Sequence, residues 1–439
     1  METDHTTQKE LGVLPGADDF SLLDHIDHCI TAGGRDRLNE LVLQPLPDIG
    51  RITGMQQTLQ SLAAIAGTWP ASITNGTIQV IEKFYGATID PIPENPGTIG
   101  VMSYRWLHRA DHSFVSYSAG HTLDFLNDMR GFTTIFKNRK IPDPLQEKIR
   151  ETETLLNEQG LSPVLQKKPF SSIPPKDQLR FAHFLRYRYK QKMQRLLSLF
   201  FELDAWRSMA LATAKHGWSY PEFEQEAIPM LKAEKLYHPF LEHAVTYDLV
   251  MDPEKNVLFL TGANMAGKST FIRAVGLAVF LAHAGMGVPA RSMRLSCFDG
   301  LLSNISNADN IRKGESYFRS EVLRIKSTLQ KINDGRSWMI LADEMFKGTN
   351  VQDAMKCSLA VINGLVRMRR SAFIVSTHLY EIAEPLQAHP NIRFSYFETT
   401  AANGKLQFSY RLREGVSNDR FGYLILQNEG VVDLLEQLK

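Results

Sequence analysis

The sequence predicts a mostly helical region of about 230 residues followed by an α/β domain of about 200. Three observations carry that division. The 439 residues are too many for one small core. Up to about residue 215, apolar residues recur at three- and four-residue spacing. From Glu234 onward, short apolar runs alternate with helical stretches, as in a domain built on a parallel sheet.

Taken in order, residues 1–19 are polar, carry Pro15 and Gly16, and are expected to be a loose tail. The helical region is expected over residues 20–233. Its first stretch runs from Phe20 to about Ala66, with Leu22, Leu23, Ile26 and Ile30, then Leu38, Leu41 and Val42, at helical spacing. Pro91, Pro93, Pro96, Gly97 and Gly100 break the pattern over residues 86–100. Helices resume over 101–160 and 176–215, separated by a loop from Lys167-Lys168-Pro169 to Pro174-Pro175. In the C-terminal domain, residues 234–439, the runs Val257–Leu260, Trp338–Ala342 and Ala372–Val375 predict buried parallel strands. Phe394–Thr399 and Leu406–Leu412 flank Asn403-Gly404, the pattern of an antiparallel hairpin.

Composition narrows the function classes. Hydrophobic residues make up 43% and charged residues 22%, an ordinary globular mixture. The formal net charge of +1 gives no global basic field, so any nucleic-acid contact must come from local patches. Cys29, Cys297 and Cys357 show no metal-ligand spacing and fit buried thiols in a reducing compartment. Met1–Leu14 lacks the apolar core of a signal peptide, and no apolar run reaches the roughly 18 residues of a membrane span. A cytoplasmic location is expected, with no membrane partner.

The most specific signal is Gly262-Ala-Asn264-Met265-Ala266-Gly267-Lys268-Ser269, which follows a predicted strand and opens a helix bearing Ile272, Val275 and Val279 on one face. A polyphosphate needs several backbone N–H groups converging on one anion. Only a glycine-bearing loop turns tightly enough to aim them, and the helix N-terminus adds its dipole. Lys268 supplies a mobile charge for the outer phosphates. The Ser269 hydroxyl is placed to ligate Mg2+, with Thr270 beside it. Ala266 would carry a steric cost if the backbone needed a positive φ there. The predicted fold of this domain is therefore a P-loop NTPase.

Downstream, the strand Trp338–Ala342 ends in Asp343-Glu344. In P-loop NTPases the first acid holds the Mg2+ shell. The second stands where an ABC-type ATPase keeps the base that polarises the attacking water. Ser376-Thr377-His378 follows the next strand, and His378 is placed to sense the outermost phosphate or to orient water. Gly314-Glu-Ser316 opens a helix with Phe318, Val322 and Ile325 on one face. In ABC-type ATPases such a helix start faces the nucleotide of a second protomer, and by itself Ser316 is equally a plain helix cap. No NKxD-type guanine-reading motif is present, so ATP is expected over GTP.

These strings together resemble the MutS family of DNA mismatch repair proteins. The resemblance rests on Thr261–Thr270 with its Asn264-Met265, Gly287-Val-Pro-Ala290, Asp309–Glu321, Asp343–Asn350 with its Gly348-Thr349 turn, Ser376–His378 and Ser417–Gly422. It extends upstream to Tyr220-Pro221, His238-Pro239, Glu202-Leu-Asp204 with Ser208-Met-Ala, Thr31–Arg35 and Leu43–Leu46. It implies an ABC-type ATPase domain preceded by helices of the MutS core, or lever. It also implies ATP and Mg2+ as cofactors, a homodimer closed by ATP through the ATPase domains, and DNA or a repair protein as partner. The expected function is a DNA-binding ATPase of mismatch repair or recombination. An ATP-gated dimer acting on a protein partner without touching DNA is the alternative. The family's mismatch-reading N-terminal domain and its Phe-x-Glu wedge are expected to be missing. The string Phe200-Phe201-Glu202 lies in an apolar helix and is expected to be core. The adenine pocket is not assigned, with Tyr247 a candidate.

One stretch could contact DNA. Arg180, Arg186, Arg188, Lys190, Lys192 and Arg195 interleave with Phe181, Phe184, Tyr187 and Tyr189. Basic groups neutralise phosphates and aromatics stack on bases. The plainer reading, and the one expected here, is an amphipathic helix with its rings inside and its charges solvated.

Overall fold

A computed structural model describes residues 1–15, 20–70, 72–161, 165, 169–225, 229–305, 317–402, 405–417, 426–427 and 430–437. The chain forms two compact units: Met1–His25 with Gln44–Thr53 and Lys215–Lys439, and Ile26–Leu43 with Gly54–Ala214.

The expected loose tail is corrected over residues 1–15, while 16–19 lie outside the described residues. Helix α1 (His5–Glu10) is capped by Asp4, whose carboxylate accepts from the Thr7 amide at 2.8 Å. Glu10 is buried and accepts from Ser303 Oγ and, at 3.0 Å, from the Ile305 amide, with Arg324 3.5 Å away. Leu11 and Val13 are fully buried. The segment is polar because its polar groups pair with buried backbone and side-chain partners, which composition alone does not reveal.

Helices α2 (Leu22–Ile26), α3 (Ala32–Leu43) and α4 (Ile49–Ala63) come next along the chain. The helical unit continues with α5 (Asn75–Gly86), α6 (Thr98–Leu107), α7 (Arg109–Ile135), α8 (Asp143–Leu156) and α9 (Pro175–His183). A single π turn, Phe184–Arg188, leads into α10 (Lys190–Lys215). The Pro/Gly break is real: α5 stops at Gly86, and α6 starts after Gly97. α7 buries Val115, Leu123, Leu126 and Met129, and Phe200 of α10 is buried against Phe125 and Trp69. Glu202 is likewise buried, beside Lys148 and Arg37, so Phe200 and Glu202 are core, while Phe201 between them is half-buried. Two upstream motifs meet at Asp204. Its carboxylate accepts from the amides of Ile30 and Thr31 and from Thr31 Oγ1, at 2.8 to 3.1 Å, and so fixes Thr31, whose Oγ1 in turn accepts from the Gly34 amide at 3.0 Å in the first turn of α3. A Cβ on Gly34 would lie 2.3 Å from Asp204 Oδ2, so only glycine fits there.

The other unit carries two sheets. Its strands are β1 (Glu222–Glu224), β2 (Leu231–Leu236), β3 (Tyr247–Met251), β4 (Val257–Thr261), β5 (Ser292–Ser296), β6 (Gly300–Asn304), β7 (Trp338–Asp343), β8 (Ala372–Ser376), β9 (Ile392–Ala402) and β10 (Lys405–Glu414). The larger sheet runs β10-β9-β4-β8-β7-β6, parallel throughout except for β10. The smaller runs β1-β5-β2-β3. The three strands expected from apolar runs are β4, β7 and β8, and they are neighbours in the order β4-β8-β7. Their parallel register therefore brings three chemically distinctive strand ends, Gly262, Asp343-Glu344 and Ser376–His378, to one edge of the sheet. The predicted hairpin is β9–β10, with its turn Asn403-Gly404 outside the described residues. The thiols, expected buried, are half-buried and unpaired. No helix among the described residues is long and apolar enough to cross a membrane.

Candidate nucleotide-binding site

β4 is completely buried, which fixes the point at which the phosphate loop begins. Gly262 takes φ 137°, and a Cβ there would lie 3.3 Å from the Phe397 backbone. Gly267 takes φ 106° at the start of α11 (Lys268–His283). The positive φ that would be costly at Ala266 does not fall there. That residue is buried, and the positive φ, 69°, falls on exposed Met265. Lys268 is only 4% exposed; its ammonium donates to the carbonyls of Gly262 at 2.7 Å and Ala263 at 3.0 Å and lies 3.5 Å from Glu344 Oε1. Burial depresses its pKa, against the pull of Glu344 and Asp343.

Ser269 Oγ donates to one oxygen of Asp343, and Ser376 Oγ donates to the other. A hydroxyl and a carboxylate already in contact form a hard-oxygen pair, the donor chemistry that Mg2+ takes, so these residues fit that ion. Glu344 follows with φ 50°, its amide donating to Ser376 O at 2.9 Å. Its carboxylate is 2.9 Å from Lys347 Nζ and 4.0 Å from His378 Nδ1. Burial penalises the Glu344 charge, but Lys347, Lys268 and His378 outweigh it and hold the carboxyl below its usual pKa. The side chain stays an anion at neutral pH, the form a base needs.

Asn264, Met265, Gly267, Lys268, Ser269, Thr270 and Glu344 line one cavity of about 610 Å3. Leu241, His243, Val245, Tyr247 and Tyr410 complete its wall. Tyr247 is held edge-on by Phe271 and Phe397. Tyr410 has φ 53°, where the β9–β10 register shifts between Phe408 and Leu412. Such an irregularity re-aims a side chain. The structure therefore brings together every expected site residue of the loop, the acidic pair and His378. Ser316, with Gly314, lies outside the described residues.

The family model of MutS domain V matches residues 258–434. That match covers the C-terminal part of the chain. Among curated proteins the chain is similar to the DNA mismatch repair protein MutS of Petrotoga mobilis, 28% identical over 57% of this chain and 31% of the relative. The MutS of Geobacillus sp. (strain WCH70) is 30% identical over 54% of this chain and 28% of the relative. That of Bacillus subtilis is 27% identical over 63% and 33%. The chain thus spans about a third of the length of these relatives. The Bacillus alignment covers 290 residues, so the similarity runs upstream of the domain V match.

Three features of this site escape the sequence pattern. Tyr410 joins the cavity only through the register shift, which residue spacing does not announce. Ser376 belongs to the noted Ser-Thr-His string, but its bond to Asp343 depends on β7 and β8 being neighbours. Helix α12 (Tyr317–Ile332) turns Glu321 and Ile325 inward and leaves Val322 exposed, one residue off the predicted stripe.

The basic and aromatic stretch of the helical unit resolves differently. Phe181 and Tyr189 are buried. Arg186 donates to the carbonyls of Phe84 and Ala87. Arg188 pairs with Glu94, Lys192 with Glu158, and Arg195 with Glu151 through two bonds of 2.6 and 2.7 Å. Arg180 and Lys190 are exposed. Phe184 is half-buried and Tyr187 exposed, and the stretch spans the end of α9, the π turn and the start of α10, so the expected single amphipathic helix with its rings inside holds only in part.

Proposed function

We propose that this protein is a Mg2+-dependent ATPase of the MutS type that handles DNA in mismatch repair or recombination, with nucleotide binding closing a homodimer of its ATPase domains. One observation carries the proposal. Lys268, Ser269 and Glu344 converge on a single cavity that also offers two tyrosine rings, and Asp343 is bonded to Ser269 at its edge. In this reading the loop amides, Asn264, Met265 and Ala266 among them, and Lys268 bind the phosphates. Tyr247 and Tyr410 flank the base. Ser269 and Asp343 would hold Mg2+, which when bound neutralises charge on the outer phosphates. Glu344 polarises the attacking water and accepts its proton. His378, 4.0 Å from that carboxylate, orients the water or senses the outermost phosphate. Ser316 of a second copy completes the site. The curated relatives are named as DNA mismatch repair proteins, which supports the DNA assignment. Hydrolysis would reopen the dimer and pass movement to the helical unit.

A second reading has its own support. The four intramolecularly engaged cations between Arg186 and Arg195 favour an ATP-gated switch that moves a protein partner instead. Equilibrium binding to plain, mismatched and branched DNA over a salt series separates the two. The first reading expects salt-dependent affinity for at least one of them, strengthened or weakened by ATP. Absence of binding to all three would favour the second.

A further inference from the structure

The buried face of α12 carries a carboxylate at a position where helices of this kind carry an apolar side chain. Glu321 is 2% exposed. A carboxylate so deeply buried is costly unless hydrogen-bonded. Glu321 accepts from the backbone amides of Lys347 at 3.2 Å and Gly348 at 3.1 Å.

Those amides belong to the turn that follows the acidic pair. Two of its non-glycine residues have positive φ, Glu344 at 50° and Phe346 at 63°. Such a backbone persists only where its surroundings over-determine it. Glu321 supplies part of that constraint, and Phe318 adds a ring contact to Phe346, 6.0 Å between centroids. The same Lys347 whose amide Glu321 holds places its ammonium 2.9 Å from Glu344. A short chain of contacts therefore runs from α12 through Glu321 and Lys347 to Glu344.

We infer that Glu321 is a positioning residue that couples α12 to Glu344, holding the turn amides that set the Lys347–Glu344 pair and with it the geometry of the hydrolytic carboxylate. The inference rests on the proposed role of Glu344. Displacing α12 changes where two turn amides are held, and with them the Lys347–Glu344 pair.

The test uses the full chain as wild type, Glu321→Gln, Glu321→Ala and Glu344→Gln. Three quantities are measured: Mg·ATP affinity, the single-turnover hydrolysis rate, and amide hydrogen exchange in the segment 344–348. Glu321→Ala should hydrolyse roughly tenfold or more slowly, as a misplaced catalytic group does. Its ATP affinity should stay within about threefold, because the phosphate loop is untouched. Exchange at Lys347 and Gly348 should rise. Glu321→Gln keeps one acceptor oxygen and should recover much of the rate, which also guards against a folding defect in the alanine variant. Wild-type hydrolysis by Glu321→Ala beside an inactive Glu344→Gln overturns the inference alone. So does a parallel loss of affinity and rate in both Glu321 variants. Equal rates for wild type and Glu344→Gln overturn the assignment of the base itself.

Discussion

The loop at Gly262–Ser269 and the stretch from Arg180 to Arg195 both read, as strings, like places for phosphate. They differ in what their cations touch. Lys268 is buried at a cavity wall, and its ammonium rests on two carbonyls of the loop itself and near Glu344. These are contacts that an incoming phosphate can replace without unfolding anything. Arg186, by contrast, closes on the carbonyls of Phe84 and Ala87, and Arg188, Lys192 and Arg195 each face a carboxylate of the same unit. A row of positive charge is a ligand site only when its partners leave it available. In the loop the backbone arranges the availability; in the helix the neighbouring acids remove most of it.

Substitutions separate the two regions. The largest effect is expected at Glu344. Glu344→Gln should retain ATP affinity, lose about 10²–10⁴-fold in turnover, and accumulate a nucleotide-bound dimer in analytical ultracentrifugation. Wild-type turnover would mean that the base lies elsewhere. A smaller effect is expected at the cavity wall. Tyr410→Ala should weaken ATP binding about tenfold by equilibrium titration, the scale of one lost stacking contact with a base, while leaving inorganic triphosphate affinity unchanged. Equal losses for both ligands would place the tyrosine away from the base. The smallest effect is expected in the helical unit. The triple variant Arg188→Ser, Lys192→Ser and Arg195→Ser should change any DNA affinity less than about threefold, because exposed ion pairs are weak contributors and these cations already have partners. A fall in the salt slope of DNA binding by nearly three would show those pairs opening onto phosphate instead.

What was legible followed the physics of burial. β4, β7 and β8 are continuous apolar runs because both faces of a parallel sheet are covered, and each ends in a distinctive motif. The sheet order then assembles the site from strings noted separately. Less legible was the smaller sheet. β1 has three residues, and β2 has an irregular burial pattern with Lys235 at φ 49°, so no clean alternation marks it. Glu321 escaped because a charged residue facing inward contradicts helical periodicity until its two amide partners are seen. The N-terminal helix escaped for the same reason: Glu10 reads as solvated until Ser303 and Ile305 are placed beside it. In each case a polar side chain is buried by partners distant in sequence, and local pattern carries no record of them.

Nucleotide binding by this protein depends first on the phosphate loop. Calorimetric titration of Mg·ATP into the full chain and its Lys268→Ala variant would test it in one comparison. Saturable binding by the wild type, weakened roughly 100-fold or more in the variant, is the result expected from loss of a charge-assisted contact to phosphate. Equal affinity in the two proteins, or no heat from either at saturating nucleotide, would contradict it.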